Sequence, residues 1–123
     1  MITNFLLVAL GGGLGSMARY GCQRFFIVQY PGHFPWGTML VNIAGCFLIG
    51  IFWGLHFRSF NSNESWKLFL MTGLCGGFTT FSAFTLEAIG LLREDRAGLF
   101  FIYVGGSVLA GLIATWAAIR LMR

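Results

Sequence analysis

The sequence predicts an all-α membrane protein with four transmembrane helices in a single domain. Apolar residues make up 57% of its 123 residues and charged residues only 10%, whereas about a quarter of the residues in a soluble domain are charged. A helix rises about 1.5 Å per residue, so roughly 20 apolar residues cross the hydrocarbon core of a bilayer. Four stretches of about this length predict helices over approximately residues 2–22, 36–57, 66–92 and 97–120.

The first predicted helix contains small residues spaced four apart. Gly11 and Gly15, and likewise Gly12 and Ser16, have the spacing that lets two helix backbones approach closely in a membrane. A phosphate-binding loop is disfavoured because the third glycine is missing and no strand precedes the run. Arg19 follows near the predicted end of the helix, where it either extends to water or attracts an anion.

The second predicted helix carries one strongly polar side chain in an apolar run. Burying the amide of Asn42 without a partner is costly. We therefore expect Asn42 either to bond across to another helix or to line a polar path. The polar connection over residues 58–65 that comes next predicts a simple turn.

The third predicted helix is interrupted near its middle, between residues 72 and 85. Gly76-Gly77 and Thr79-Thr80 form helices poorly, since glycine loses backbone order and threonine loses side-chain freedom. Carbonyl groups freed at this depth need partners inside protein or along a wet cavity. The stretch is therefore compatible with an ion site or with an ordinary glycine-rich helix contact.

Two phenylalanines and two hydroxyl residues come after the predicted interruption. Phe81 and Phe84 share one helix face, and Ser82 and Thr85 share the adjoining face. Because an aromatic ring has a positive edge, ring edges and hydroxyl donors can contact an anion without holding it too tightly to leave. Core packing is the other role open to the two rings. Glu87, about one turn further on, is either an intramembrane carboxylate, and hence a candidate functional residue, or a side chain that reaches the interface beside Arg93.

The fourth predicted helix carries a stripe of hydroxyl groups. Tyr103, Ser107 and Thr115 fall at steps of four or eight residues, with Gly111 in the same series, so they drift slowly along one side of the helix. Their hydroxyls can donate to a passing anion or bond the backbone one turn earlier.

Basic residues are balanced between the two sides of the predicted bundle, with four Lys or Arg residues on each side. Loop charge then sets no preferred orientation, and a chain inserted both ways up can pair as an antiparallel homodimer. The alternative is a single orientation enforced by features other than charge. Because the basic residues are scattered, nucleic acid is not expected as a partner. The two sets are Arg58, Lys67, Arg120 and Arg123 on one side and Arg19, Arg24, Arg93 and Arg96 on the other.

Three segments carry a resemblance to a known family. Residues 11–20 read GGGLGSMARY, residues 37–45 read GTMLVNIAG, and residues 76–84 read GGFTTFSAF. In this order, and over the full length of the chain, they resemble the Fluc (CrcB) family of fluoride channels. The resemblance implies a dual-topology homodimer in the bacterial inner membrane, with two parallel pores that export fluoride passively and protect the cell from its toxicity.

The resemblance also implies residues for the site. A structural sodium ion at the dimer centre would be held by the main-chain carbonyls of Gly76 and Thr79 from each subunit, Arg19 would be the vestibule arginine, and Glu87 the glutamate typical of the family. Ala83 and Gly111 depart from the family pattern, where a threonine and a further hydroxyl are common. Together with the donors described above, the expected anion pathway is Asn42, Phe81, Phe84, Ser82, Thr85, Tyr103 and Ser107.

Two other classes of function fit the sequence less well. A small multidrug-type proton-coupled exporter also has four helices, but it uses a glutamate in its first helix, and this first helix has no acidic residue. A non-transporting membrane assembly protein is expected to carry a soluble extension, which this sequence does not show. Since a membrane potential that is negative inside drives an anion outward without another energy source, we expect a passive channel and not an enzyme.

Overall fold

The computed structural model describes residues 1–58 and 63–123, which form helices joined by short connections. Four helical segments of this part of the chain are long and apolar enough to cross a membrane, which confirms the prediction of an all-helical protein with four candidate spans. The predicted turn at 58–65 lies partly outside the described residues. The four segments are Ile2–Gln29, Trp36–Arg58, Glu64–Arg93 and Ala97–Leu121.

The first helix, α1 (Ile2–Gln29), extends beyond the predicted end near residue 22. The prediction placed that end soon after the uncharged run. Residues 23–29 contain neither proline nor glycine, so the backbone continues as a helix until Pro31, which cannot extend one. This extra length brings Gln23 into the bundle, where it contacts the second helix.

Close packing of α1 against the third span depends on glycine. Gly11 and Gly15 are buried, and a Cβ on Gly11 would lie 2.9 Å from the Leu74 main-chain nitrogen. On the facing side, a Cβ on Gly77 would lie 2.9 Å from the Gly12 Cα atom. The small-residue spacing in the first helix therefore serves backbone contact between two spans, as the sequence predicts.

The second helix, α2 (Trp36–Arg58), packs along α6 (Ala97–Leu121). A Cβ on Gly50 would lie 2.6 Å from the Thr115 carbonyl oxygen and 2.7 Å from the Ala118 Cβ atom. Ala118 is completely buried in this contact. Elsewhere the long helices expose large apolar side chains, for example Phe5, Phe101 and Ile113, as expected for a surface that faces lipid.

The third span is built from four helical pieces. It begins with α3 (Glu64–Lys67) and continues as a π-helix over Leu68–Cys75 and as α4 (Gly76–Phe78). Thr79 and Thr80 then adopt extended conformations, with φ/ψ of −84°/159° and −149°/123°, before α5 (Phe81–Arg93). We call these two residues the threonine link.

Candidate functional site

Asn42 on α2 pairs with both main-chain groups of Thr80 in the threonine link. The Thr80 N–H donates to Asn42 Oδ1 at 2.8 Å, and Asn42 Nδ2 donates to the Thr80 carbonyl at 3.0 Å. An extended residue between helices has no helical partner for these groups, and leaving them unpaired in an apolar span is costly. Asn42 thus bonds across to another span, which is one of the two arrangements expected from the sequence.

The threonine side chains complete the ends of the two helices that the link joins. Thr80 Oγ1 accepts a hydrogen bond from the Ala83 N–H at 3.1 Å and so caps the start of α5. Thr79 Oγ1 donates to the Cys75 carbonyl at 3.0 Å, beside the bond from its own N–H to the same oxygen. The pair of threonines therefore favours an extended link with capped helix ends on both sides.

Arg19 on α1 reaches the carbonyl oxygen of Gly77, just before the threonine link. Its Nε donates to this oxygen at 3.1 Å, and Ser16 Oγ lies 3.4 Å from the same atom. The guanidinium group therefore lies beside the link and satisfies a carbonyl there. The guanidinium gives this position a fixed positive charge, and its four other N–H groups are further donors.

The carbonyl oxygens of Gly76 and Thr79, for which a sodium ion was expected, differ from their neighbours. Among the residues that the structure describes, no turn, cap or side-chain hydrogen bond ends on either oxygen. The carbonyls of Gly77 and Thr80, by contrast, accept bonds from Arg19 and Asn42. Main-chain oxygens without a donor are suitable ligands for a hard cation, so the residues present fit the expected ion.

One cavity of about 380 Å³ lies against the threonine link. We call it the first cavity. It brings together the expected pathway residues Asn42, Phe81, Phe84 and Ser107, and it also contacts Gly76 and Thr79. The rings of Phe81 and Phe84 have centroids 5.9 Å apart and planes inclined by 39°. The residues at this cavity are Asn42, Gly45, Cys46, Ile49, Met71, Cys75, Gly76, Thr79, Thr80, Phe81, Phe84, Ser107 and Val108.

Ser107 presents a hydroxyl group with no protein partner in the described structure. Its Oγ atom is buried and has no hydrogen bond, although buried polar atoms are nearly always paired. It lies at the first cavity with Asn42 and the two phenylalanine rings. A hydroxyl in this state can donate to a ligand that enters the cavity.

Three expected pathway residues, Ser82, Thr85 and Tyr103, do not line the first cavity. Thr85 is exposed, and its hydroxyl donates to the Ser82 carbonyl at 3.0 Å. Ser82 is also exposed, with its Oγ 3.4 Å from Thr80 Oγ1. Cys46 also lines the first cavity, a role not expected from the sequence, although this residue is one helical turn beyond Asn42 and so lies on the same face of α2.

Glu87 on α5 accepts a hydrogen bond at each carboxylate oxygen. Thr38 Oγ1 donates to Oε1 at 2.8 Å, and the hydroxyl of Tyr103 donates to Oε2 at 3.0 Å. Tyr103 is completely buried and Thr38 nearly so. Gln23 Nε2 in turn donates to Thr38 Oγ1 at 3.0 Å. These four side chains, which we call the Glu87 chain, connect α1, α2, α5 and α6.

The Glu87 chain borders a second cavity of about 510 Å³. The connection between α1 and α2 contributes much of its wall, including Pro31, Phe34 and Pro35. Tyr103 connects the Glu87 chain to the wall of the first cavity, because the centroid of its ring lies 5.1 Å from that of Phe84. Glu87 and Tyr103 were each predicted from the sequence, without their contact, whereas Gln23 was missed because it lies beyond the predicted end of the first helix.

The chain is similar in sequence to a known protein family and to individual relatives. Residues 6–119 match the family model described as CrcB-like protein, Camphor Resistance (CrcB). The chain is 45% identical over 123 residues to the fluoride-specific ion channel FluC of Rhizobium etli strain CIAT 652, covering 100% of this chain and 98% of the relative. It is 46% identical over 112 residues to the protein of the same name from Flavobacterium psychrophilum, covering 91% and 90% of the two chains. A third relative of that name, from Phocaeicola vulgatus, is 45% identical over 116 residues, covering 94% and 95%.

Proposed function

The chain belongs to the CrcB family, and from this premise we propose that it is a fluoride-specific ion channel. Fluoride would leave the cytoplasm passively, driven by a membrane potential that is negative inside. Export of this kind lowers intracellular fluoride and protects the cell from its toxicity. The protein is thus assigned to a class of ion channels rather than to a class of enzymes.

The observation that carries this function is the composition of the first cavity. Its described residues carry no charged side chain, yet they include the Asn42 amide, the Ser107 hydroxyl and the rings of Phe81 and Phe84. Hydroxyl and amide donors together with ring edges attract an anion, and the absence of a fixed positive charge at these residues lets it leave. Ser107 in particular has a donor that no described protein group uses.

Several features support the expected pathway through α5 and α6. Phe84 lines the first cavity and contacts Tyr103, so the wall of the cavity adjoins the buried end of the Glu87 chain. Arg19 lies beside the threonine link, where its charge would raise the local concentration of anions. We keep Ser82 and Thr85 in the pathway as surface hydroxyl residues near Phe81, where a second subunit would enclose them.

We further propose an antiparallel homodimer inserted in both orientations in the inner membrane. The balance of four basic residues on each side supports dual insertion. The Phe81 side chain is 78% exposed although it borders the first cavity, so a second copy packed there would close the cavity from lipid. The extended threonine link within an apolar span supports an interruption at mid-membrane.

A structural sodium ion fits the same place. The carbonyl oxygens of Gly76 and Thr79, from both copies, would hold it, and the ion would neutralise main-chain dipoles that meet at the interface. On this account the ion stabilises the dimer and takes no part in anion movement.

Fluoride release from vesicles tests the function directly. Purified protein is reconstituted in phosphatidylethanolamine and phosphatidylglycerol vesicles loaded with potassium fluoride, and release is followed with a fluoride electrode after a potassium ionophore is added. We expect release without a proton gradient and little release of chloride under the same conditions. Release that required a proton gradient, or proton exchange driven by a cationic drug, would contradict a passive fluoride channel.

A further inference from the structure

Gln23 lies at the outer end of the Glu87 chain and is the member of it on α1. Its side-chain amide lies 3.0 Å from Thr38 Oγ1. Gln23 also lines the second cavity together with Thr38 and Glu87. It is therefore placed to influence both the carboxylate of Glu87 and an ion in that cavity.

The direction of each hydrogen bond in the Glu87 chain can be deduced by counting protons. A threonine hydroxyl has one proton, and that of Thr38 is donated to Glu87 Oε1 over 2.8 Å. The remaining contact of Thr38 must then be an accepted bond, and the NH₂ group of Gln23 supplies the donor. An amide oxygen or a carboxylate at the position of this NH₂ group would instead compete with Glu87 for the single proton.

We propose that Gln23 is a positioning residue for anion passage that acts through Thr38 on Glu87. By donating to Thr38, the amide fixes the hydroxyl proton on Glu87 and strengthens that bond, since linked hydrogen bonds polarise one another. The carboxylate is thereby held against α2 and α6 by two hydroxyl donors. Without this restraint it can turn into the second cavity, where its charge would repel an anion.

This role rests on the proposed function, and the first experiment separates the two. Fluoride release by the unaltered protein tests the function, and only the variants test Gln23. Gln23→Met preserves the length of the side chain and removes the donor, so we expect release to slow roughly three- to tenfold, the effect of losing one hydrogen bond. Release at the unaltered rate would overturn the role.

A double-substitution cycle tests whether Gln23 acts through Thr38. Once Thr38→Val has removed the hydroxyl, adding Gln23→Met should slow release no further, since only coupled residues give non-additive effects. An equal additional loss in the Thr38→Val background would show that Gln23 acts independently and would overturn the role.

Gln23→Glu gives a second test that does not depend on residual activity in Thr38→Val. The introduced carboxylate has the same shape as glutamine but accepts hydrogen bonds, so it draws the Thr38 proton away from Glu87. Ile27→Glu is the control for added charge, because Ile27 lines the same cavity one turn along α1. We expect Gln23→Glu to slow release more than both Gln23→Met and Ile27→Glu, and a loss no larger than that of Ile27→Glu would overturn the role.

The pH profile of the same variants distinguishes positioning from simple space filling. Between about pH 7 and about pH 4 a carboxyl group of ordinary acidity gains a proton, so the introduced side chain can donate again. The rate of fluoride release, expressed relative to the unaltered protein at the same pH, should increase on acidification for Gln23→Glu. This increase should be larger than the one for Ile27→Glu. Protein-free vesicles correct for leak, and a single symmetric size-exclusion peak identifies folded variants. Profiles that run parallel for the two variants would overturn the role.

Discussion

Two levels of the helix bundle, about one turn apart, hold the third span by different means. At the backbone level, Arg19 on α1 and Asn42 on α2 bond main-chain groups of Gly77 and Thr80. At the side-chain level, Gln23 and Thr38, four residues away on the same two helices, hold the carboxylate of Glu87. Equivalent positions on α1 and α2 thus stabilise the fold at one level and orient a charged group at the other.

The difference between the levels predicts different consequences of substitution. Replacing a side chain leaves the polar groups of the main chain in place. A side chain that pairs with a buried main-chain group is therefore needed for folding itself. Glu87 can be replaced together with its partners, so the side-chain level is free to serve conduction. Substitutions at the backbone level should therefore reduce stability, and those at the side-chain level should mainly change flux.

Asn42→Ala should have the largest effect. It leaves both the N–H and the carbonyl of buried Thr80 without a partner, and each such group costs about 1–3 kcal/mol. We expect a large drop in melting temperature of the purified protein and loss of fluoride release. Asn42→Asp retains the acceptor for the Thr80 N–H, so its melting temperature should lie between those of Asn42→Ala and the unaltered protein. If Asn42→Ala melted like the unaltered protein, the backbone level would not be structural.

Gly77→Ala tests the close contact of the backbone level with α1. Its Cβ would lie 2.9 Å from the Gly12 Cα atom, and overpacking of this kind costs about 1–3 kcal/mol. Gly105→Ala is the matched control on α6, since nothing lies within 4 Å of its Cβ position and alanine favours a helix. The melting temperature should fall for Gly77→Ala and should stay level or rise for Gly105→Ala. Equal melting temperatures would contradict the packing described for this contact.

Phe81→Ile examines a residue that borders the first cavity without supporting either level. The Phe81 side chain is 78% exposed, so its loss should leave the melting temperature nearly unchanged. Loss of the ring edge should slow fluoride release by about tenfold or less, in line with the small energies of aromatic contacts. Phe101→Ile is the control, with a ring that is 70% exposed and lies away from the first cavity. Equal release by both variants would remove Phe81 from the pathway.

Tyr103→Phe should destabilise the protein much less than Asn42→Ala. It removes only the hydroxyl that donates to Glu87 at 3.0 Å and keeps the buried ring, so about 0.5–1.5 kcal/mol is expected. Fluoride release should slow while thermal melting changes less than in Asn42→Ala. A larger loss of stability than in Asn42→Ala would reverse the distinction between the two levels.

Much of this architecture could be predicted from the sequence because the bilayer constrains it strongly. Uncharged or nearly uncharged runs of about 20 residues predicted the four spans, and the cost of burying a lone amide required a partner for Asn42. The identity of that partner depends on how α2 meets the third span, which no local pattern encodes. Gln23 was missed for a related reason, because α1 continues as a helix beyond its uncharged run.

The π-helix at Leu68–Cys75 makes the length of this segment critical. Each residue turns an α-helix by about 100°, and a wider turn accommodates an extra residue without rotating the helix beyond it. Deleting one amino acid between Leu68 and Cys75 would let the segment close into ordinary α-helical turns and leave the direction of α4 unchanged, whereas inserting one further amino acid would rotate α4 by about 100°. After that insertion Gly77 would face away from α1, and the chain would lose its fit without any substitution at the contact surface.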